Sequence, residues 1–223
     1  MSLEKRRVGR PSAKDNNIDI KAKLLECACH LFATMPYEKV SIRLVSLKAG
    51  VSSSLIRYYF GDKEGLLEEV VQSVVFPIYS RVHSLAENTT YDSFIELFEG
   101  LYAELTKGSY LPKIVFQFMV MPPSDSKRQL VERIIAECSK PLQDVIFEQL
   151  VENKILRPDV DPSLCRLSWL SLMMFPFIVP PALMKLHDME LTDEFLDRFF
   201  RHNMNLMMHG FIQAPVHIDN ECE

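Results

Sequence analysis

The sequence predicts an all-α protein with a small basic N-terminal domain and a larger acidic helical body. Apolar residues recur at helical spacing along the 223 residues, and the alternation typical of strands is absent. Capping residues and prolines mark helix ends along the chain. The charge is uneven, since residues 1–65 carry 12 Lys+Arg against 7 Asp+Glu and the remainder carries 13 against 23. This asymmetry is typical of a nucleic-acid-binding module attached to a body with another task.

The most informative segment runs from Ser41 to Leu67. Ser41 is a good N-cap, Gly50 suits the left-handed position after a helix, and Ser52 can cap the next helix. Two hydrophobic staples are expected across these caps, Val40 with Val45 and Val51 with Ile56. The spacing therefore predicts two short helices joined by a tight turn, followed at once by a third.

The second of these short helices carries side chains suited to nucleic acid. They are hydroxyls, an arginine and aromatic hydroxyls: Ser53, Ser54, Arg57, Tyr58 and Tyr59. Such groups bind phosphates and base edges in a major groove. The segment is predicted to be a helix-turn-helix, with Leu55, Ile56 and Phe60 holding the recognition helix to the first helix of the chain.

Periodicity and caps place the remaining helices. The first is expected over 18–35, ended by Pro36, and the fourth begins after Asp62, runs toward Leu85 and is kinked by Pro77. A fifth is capped by Asp92, with an apolar stripe of Phe94, Leu97, Phe98, Leu101 and Leu105. A short apolar helix follows over 111–121, then a long one from Ser124 or Asp125 to about residue 153 that Pro141 can bend. The last helix is capped by Thr192 and covers 193–210, with Phe195, Leu196, Phe199, Phe200, Asn203 and Met207 wrapping more than half of it.

Several classes of protein are disfavoured by the sequence. Leu167–Met184 is long and apolar enough to suggest a membrane span, but its three prolines favour a buried helix that bends or stops. The five cysteines show no metal-ligand spacing and predict reduced, mostly buried thiols. No apolar leader follows the N-terminus, no enzyme motif is present, and the histidines are scattered. We expect a cytoplasmic, nucleoid-associated protein with no metal and no cofactor.

The segment Ala49-Gly50-Val51-Ser52, with Tyr59-Phe60, Lys63-Glu64 and Leu66-Leu67, resembles the TetR family of bacterial transcription regulators. The resemblance covers about residues 16–70. It implies a homodimer that reads a palindromic DNA operator, with a flexible basic arm over 1–15, a helix-turn-helix domain over 16–65, a helical effector-binding and dimerisation domain over 66–212 and a tail over 213–223. Arg57 and Tyr59 stand where the family often has tyrosine and histidine, so the operator sequence does not follow.

DNA contacts are expected from three groups of residues. The expected contacts are Arg6, Arg7 and Arg10 of the arm, Ser41 and Arg43 of the first short helix, and Ser52, Ser53, Ser54, Arg57, Tyr58, Tyr59 and Lys63 in and around the recognition helix. Arg57 is the candidate for base reading, with a phosphate contact or an intramolecular ion pair as alternatives. The arm suits a narrow minor groove, and a solvated tail is its alternative.

The body is expected to serve dimerisation and effector binding. Residues 163–184 and 192–210 are apolar around most of each helix, as for helices that meet a symmetry mate, and a purely intramolecular core is the alternative. A pocket for an apolar or amphipathic effector is expected from Phe116, Met119, Trp169, Met173 and Phe177, although ordinary core packing also explains these residues. By the resemblance, the effector would shift the fourth helix and release a repressor from its operator. The rival function is a ligand-independent DNA-organising protein.

Overall fold

A computed structural model of the chain describes residues 13–86, 90–106 and 110–213. The described residues form ten α-helices and one short 3-10 helix, η1, and their β pairing is an isolated bridge between Leu156 and Ile212. The α-helices are α1 (Ala13–Thr34), α2 (Ile42–Ala49), α3 (Ser54–Phe60), α4 (Lys63–Ala86), α5 (Tyr91–Thr106), α6 (Leu111–Met119), α7 (Ser126–Glu152), α8 (Pro162–Ile178), α9 (Pro181–Leu186) and α10 (Asp193–Gly210). Helix η1 covers Tyr37–Lys39. The predicted all-α class is confirmed.

Contacts divide the chain into two units, Met1–Val70 and Val71–Glu223, so that the division falls inside α4. It lies at residue 70, whereas the sequence placed the end of the first domain at residue 65. The predicted arm over 1–15 and tail over 213–223 lie almost wholly outside the described residues.

The first unit is a small bundle whose core is supplied by every helix in it. Each of α1, α2, α3 and α4 contributes fully buried side chains, among them Phe32, Val45, Ile56 and Leu67. Helix α1 begins at Ala13 and not at residue 18 as predicted. The end of α1 before Pro36 agrees with the prediction.

The core of the second unit contains the apolar stripe of α5. The predicted stripe is buried, and Phe94, Phe98 and Leu101 belong to the same hydrophobic cluster as Met173 of α8 and Met207 of α10. The predicted cap of α5, Asp92, lies two residues after the observed one, Thr90. The helix begins at Tyr91, and Ser93 N–H donates to Thr90 Oγ1 at 3.2 Å, which leaves Asp92 in the first turn. Thr90 directly precedes the helix, at the N-cap position, and its hydroxyl oxygen accepts from the backbone N–H of Ser93 in the first turn.

Capping chemistry sets the other helix ends of this unit. Asp125 Oδ1 accepts from Lys127 N–H at 2.8 Å, and Thr192 Oγ1 accepts from Phe195 N–H at 3.1 Å. Helix α10 therefore has the predicted bounds. Helix α6 ends at Met119, two residues before the predicted end.

The apolar segment 163–184 forms two helices and not one. Helix α8 ends at Ile178, and α9 begins at Pro181 after Pro180. Within the described ranges, no helix combines the length and apolar character needed to cross a membrane. Asn203 of α10, placed by the sequence on the apolar face, is buried and donates from Nδ2 to the Leu172 carbonyl at 2.8 Å. This hydrogen bond ties α10 to α8 and satisfies a polar group that would be costly to bury alone.

Candidate nucleic-acid interface

Helix α2 is held at both ends by its own sequence. Ser41 Oγ accepts from Leu44 N–H at 3.1 Å, as the N-cap prediction requires. Gly50 follows the helix with φ 68°, in the left-handed region, and Val51 N–H donates to the Ser46 carbonyl at 3.0 Å. Only residues 50–53 separate α2 from α3, so the position of α2 determines where α3 begins.

Helix α3 starts at Ser54, one residue later than expected from the predicted N-cap, Ser52. Ser53 occupies the N-cap position and makes no side-chain capping bond. Ser52 Oγ instead lies 3.4 Å from Ser54 N and 2.8 Å from Ser54 Oγ. Because Ser52, Ser53 and Ser54 are all exposed, the turn places three hydroxyls at the start of α3. Hydroxyls in this position can donate to phosphate oxygens.

The two faces of α3 differ in burial and in chemistry. Ile56 is fully buried and Phe60 nearly so, and they anchor the helix in the core as predicted. On the other face Arg57 is exposed and Tyr58 is 74% exposed. Tyr59 is half-buried, with its ring 4.9 Å from the Tyr58 ring in an edge-to-face arrangement. The outer face of α3 is therefore a short row of polar and aromatic groups on a fixed support.

Arg57 forms no ion pair or side-chain hydrogen bond with any residue in the described ranges. The predicted alternative of an intramolecular ion pair thus has no partner in that part of the chain. Arg43 of α2 is also exposed and has no ion-pair partner among the same residues. Both guanidinium groups present their donors to solvent, where an anionic ligand could meet them.

The junction of α3 and α4 contains a residue that the sequence interpretation missed. Asp62 Oδ1 accepts from Gly65 N–H at 2.8 Å and caps α4 as predicted. A Cβ placed on Gly65 would lie 2.2 Å from the carbonyl oxygen of Phe60, which is backbone and cannot rotate away. The α3–α4 junction thus requires glycine at this position. A glycine inside a helical pattern is the signal that could have revealed it.

Lys63 is engaged inside the first unit. Its ammonium nitrogen lies 3.7 Å from the centre of the Tyr37 ring and donates to the Tyr37 carbonyl. These contacts connect the start of α4 to η1, the 3-10 helix that precedes α2. Lys63 therefore helps to hold the two ends of the helix-turn-helix segment together. Its predicted phosphate contact stays a prediction, and a phosphate there would have to share the ammonium with Tyr37.

The other predicted DNA contacts are placed as follows. Ser41 is exposed, and because its oxygen accepts the capping bond its hydroxyl proton remains available as a donor. Arg6, Arg7 and Arg10 of the predicted arm lie outside the described residues.

The five predicted effector residues do not share one environment. Phe116 of α6 is 51% exposed, whereas Met173 of α8 is buried in the core of the second unit. Trp169 and Phe177 pack against that core, with Trp169 edge-on to Phe98 at 4.8 Å between ring centroids, and Met119 is half-buried. A cavity of about 340 Å³ lies elsewhere, between the end of α8, α9 and the start of α10, and none of the five lines it.

One polar atom in this aromatic region is unsatisfied. Trp169 Nε1 is buried, and no acceptor among the described residues is within hydrogen-bonding distance. A buried N–H without a partner costs about 1–3 kcal/mol, so the region either tolerates that cost or satisfies the group with a bound molecule.

Three of the cysteine thiols are free. Cys27, Cys29 and Cys165 form no disulfide, and the last two are buried. Burial raises the pKa of Cys29 to about 12. A thiol that stays protonated is a poor nucleophile. No group of three or more metal-ligating side chains occurs in the described ranges.

Comparison with known proteins agrees with this geometry. Residues 24–70 match the family model described as bacterial regulatory proteins, tetR family. The chain is 32% identical over 76 residues to the HTH-type transcriptional regulator BetI of Vibrio parahaemolyticus, an alignment that covers 34% of this chain and 35% of that relative. The chain thus spans about a third of the length of this curated relative.

Two further similarities extend beyond the first unit. The chain is 25% identical over 146 residues to the HTH-type transcriptional repressor KstR2 of Mycolicibacterium smegmatis, which covers 64% of this chain and 70% of that protein. The SmeT–triclosan complex, from a repressor of Stenotrophomonas maltophilia, has the same fold with a TM-score of 0.66 at 15% identity, covering 90% of this chain and 95% of that one.

The buried anchors, glycine turn and exposed polar face of α3 define a DNA-binding helix-turn-helix domain. It is followed by a helical body whose fold is that of SmeT. Residues 24–70 of the chain thus match the TetR family of bacterial regulatory proteins.

Proposed function

We propose that this protein is a transcriptional repressor that binds a palindromic operator as a homodimer and is released by an apolar or amphipathic effector. The observation that carries the DNA-binding part is the outer face of α3. Arg57 and Tyr58 are exposed there, while Ile56 and Phe60 are buried in the core of the first unit. Because Ile56 and Phe60 hold α3 in the core, the orientation of its outer face is fixed, and the hydrogen-bond donors of that face are available to bind DNA.

The dimensions of α3 suit a major groove. Its seven residues span about 10 Å, and the groove is about 12 Å wide. Arg57 would place a two-pronged donor near a guanine edge, and the serines at the start of α3 would bind the flanking phosphates. Arg43 of α2 and Ser41, the N-cap of α2, would donate further hydrogen bonds to the phosphates of the same DNA strand. Arg6, Arg7 and Arg10 would extend the contact into the adjoining minor groove.

A single α3 reads only a few base pairs, so useful specificity requires two copies. Half-sites about 34–36 Å apart, one turn of duplex, would present adjacent major grooves to the two helices. Both similar relatives are described as HTH-type regulators, and KstR2 as a repressor, which supports the same use here.

The unsatisfied N–H of Trp169 supports effector binding in the second unit. It lies among aromatic rings, with Phe98 edge-on and Tyr102 stacked on Phe200 at 4.5 Å. A molecule that suits this region is apolar and carries one hydrogen-bond acceptor. Phe116, Met119, Met173 and Phe177 remain the other proposed contacts. The structure of SmeT with triclosan shows that a protein of this fold can be complexed with an aromatic molecule.

Helix α4 is the proposed link between effector and operator. It is one continuous helix of 24 residues that starts directly after the recognition helix and contains Pro77. An effector that favours one position of α4 would shift the population toward protomers whose recognition helices no longer match adjacent grooves. A coupling of about 1–3 kcal/mol changes operator affinity 5- to 150-fold. An unaltered effector response in Pro77→Ala would count against a role for the kink.

The test of DNA reading is Arg57→Ala, measured against an operator obtained by selection from random duplexes. We expect affinity for that operator to fall about 5- to 150-fold, with a much smaller change on scrambled DNA. The matched control is Arg198→Ala, an exposed arginine of α10 far along the chain, for which affinity should not change. Equal losses on operator and scrambled DNA would contradict base reading by Arg57.

The same binding assay, with operator and scrambled DNA, distinguishes the proposed repressor from a DNA-organising protein. A DNA-organising protein would coat duplexes of any sequence with similar affinity, and small molecules would not release it. We expect instead a single strongly preferred sequence and release by a molecule that co-purifies with the protein. Replacement of Trp169 by phenylalanine should reduce the affinity for that molecule, because phenylalanine keeps an aromatic ring of smaller size and removes the N–H donor.

A further inference from the structure

An apolar cavity of about 340 Å³ lies in the second unit where α8 ends, beside α9 and the start of α10. Its floor is made by three buried side chains, Pro176, Val179 and Met184. Its rim includes Phe175 and Leu183, which are 48% and 41% exposed. A buried floor with an exposed rim describes a recess that opens to solvent, and we call it the α9 recess.

The turn at the end of α9 fixes one side of the α9 recess. The Met184 carbonyl accepts from His187 N–H and from Met189 N–H, each at 3.0 Å. Asp188 lies between these two residues with φ 55°, in the left-handed region, and its N–H donates to the Lys185 carbonyl at 3.1 Å. These bonds form the Schellman motif that closes many helices, and the motif holds itself together. His187 and Met189 are therefore positioned on the recess wall before any ligand binds.

Another side of the recess is aromatic. Phe195 and Phe199 of α10 line it, with their ring centroids 5.8 Å apart and their planes 13° from parallel. Phe175 of α8 supplies a third ring. Aromatic rings gain from packing against a further ring in an offset or edge-to-face arrangement. A flat aromatic ligand therefore suits the recess better than a flexible aliphatic chain.

The volume of the recess indicates the size of the ligand. An apolar cavity of about 150 Å³ inside a protein holds one benzene ring. The α9 recess has about 340 Å³, a little more than twice that volume. It therefore suits a molecule of two rings, with roughly 10–14 non-hydrogen atoms.

His187 is the polar side chain of the lining. Its ring has no hydrogen-bond or ion-pair partner among the residues that the structure describes. A ligand hydroxyl can pair with this imidazole in either tautomer, because a hydroxyl both donates and accepts. The nine described lining residues include no carboxylate, ammonium or guanidinium group, so a charged ligand would be buried without an opposite charge. The hydrogen-bonding group of the ligand should therefore be neutral.

We propose that the α9 recess binds a flat, neutral, two-ring aromatic molecule that carries one hydroxyl. Its rings pack against the three phenylalanines of the lining, and its hydroxyl bonds to the ring of His187. This site goes beyond the proposed repressor function and does not rest on it, because Trp169 of the proposed effector region does not line the recess. A second copy of the chain is the alternative occupant.

The first test uses 1-naphthol, titrated into the full-length chain by isothermal titration calorimetry. We expect a dissociation constant of about 10–500 µM, as ordinary ligand efficiencies give for about eleven non-hydrogen atoms. Leu183→Trp fills the rim with a larger side chain and should weaken binding by roughly tenfold or more. Circular dichroism checks that the variant folds.

Leu186→Trp is the matched control for Leu183→Trp. It makes the same change in the same helix, at a residue that is 79% exposed and does not line the recess. Its affinity for 1-naphthol should equal that of the wild type. Absence of saturable binding to the wild type, or equal affinities of Leu183→Trp and Leu186→Trp, would overturn the site.

The second test concerns the hydroxyl. His187→Ala should weaken 1-naphthol binding about three- to tenfold. The same variant should change the affinity for naphthalene by less than about twofold, because naphthalene has no hydroxyl. The 1-naphthoate anion should bind the wild type about fivefold more weakly than 1-naphthol, or worse. Equal losses of both molecules in His187→Ala, or tighter binding of the anion, would overturn the proposed ligand class.

Further outcomes separate this inference from the alternatives and from the repressor function. Loss of 1-naphthol affinity in Trp169→Phe, with none in Leu183→Trp, would place the probe in the effector region and overturn the recess as its site. An affinity that rises as the protein is diluted would identify a second copy as the occupant, which also overturns the proposal. Operator binding that survives these results leaves the repressor intact. A chain that selects no operator but binds 1-naphthol through Leu183 would overturn the repressor and support the recess.

Discussion

Gly65 provides a test of how the recognition helix is supported. Its missing side chain lets α4 approach the end of α3, because a Cβ there would lie 2.2 Å from the Phe60 carbonyl oxygen. Real contacts of this kind are essentially never below 3.0 Å, so Gly65→Ala requires a backbone shift of about 0.8 Å. That oxygen also accepts from Asp62 N–H at 2.9 Å, a bond that the shift would strain.

The expected cost of Gly65→Ala follows from three contributions. Alanine is favoured over glycine inside a helix by about 1 kcal/mol. Overpacking against rigid backbone costs about 1–3 kcal/mol, and a weakened hydrogen bond costs about 1 kcal/mol. The free energy of unfolding should therefore fall by roughly 1–3 kcal/mol, instead of rising as it would at an open site.

Urea denaturation of the full chain measures this change, with operator affinity as a second readout. Gly210→Ala is the matched control, since nothing lies within 4 Å of its Cβ position at the end of α10. We expect that control to equal wild type or to exceed its stability by up to about 1 kcal/mol, because alanine is favoured over glycine in a helix. Stability of Gly65→Ala equal to or above wild type would refute the close approach of α4 to the Phe60 carbonyl.

Three further predictions concern local interactions. Asp62→Ala should lower stability by about 0.5–2 kcal/mol in urea denaturation, because Gly65 N–H loses its cap, and an unchanged midpoint would contradict the cap. Tyr102→Phe should cost about 0.5–1.5 kcal/mol at pH 7, because the hydroxyl donates to the Leu196 carbonyl at 2.9 Å. Burial, and then Asp197, raise the pKa of Tyr102 to about 12, so wild-type stability should fall as pH rises from about 10 to 12, and the variant should lose less over that range. Burial raises the pKa of Cys29 to about 12, so at pH 8 iodoacetamide should modify half-exposed Cys27 before Cys29, as peptide mass spectrometry would show. Preferential labelling of Cys29 over Cys27 would contradict the burial of Cys29.

The helix ends that the sequence predicted correctly are those decided by chemistry within a few residues. Ser41, Gly50 and Thr192 each act on a neighbouring backbone group, so their roles are visible in the sequence. The same reasoning failed where two possible capping residues lie two positions apart. Thr90, and not Asp92, caps α5.

The features that could not be predicted from the sequence depend on how the helices pack against one another. Gly65 matters because of the Phe60 carbonyl, and the approach of those two backbones follows from the packing of α4 on α3. The effector residues were chosen as aromatic and methionine side chains, but composition cannot separate Met173 in the core from Phe116 at the surface. The cavity of the second unit is lined by residues of three helices, and only the packing of those helices brings Val179 and Phe199 together.

The central claim is that two copies of α3 read one operator. Selection of bound duplexes from a random pool, followed by sequencing, tests it most directly. We predict enrichment of an inverted repeat whose half-site centres are about 10–10.5 base pairs apart, or a multiple of that spacing, with a conserved guanine that Arg57→Ala no longer selects. Enrichment of no sequence, or of a single unrepeated site, would contradict the claim.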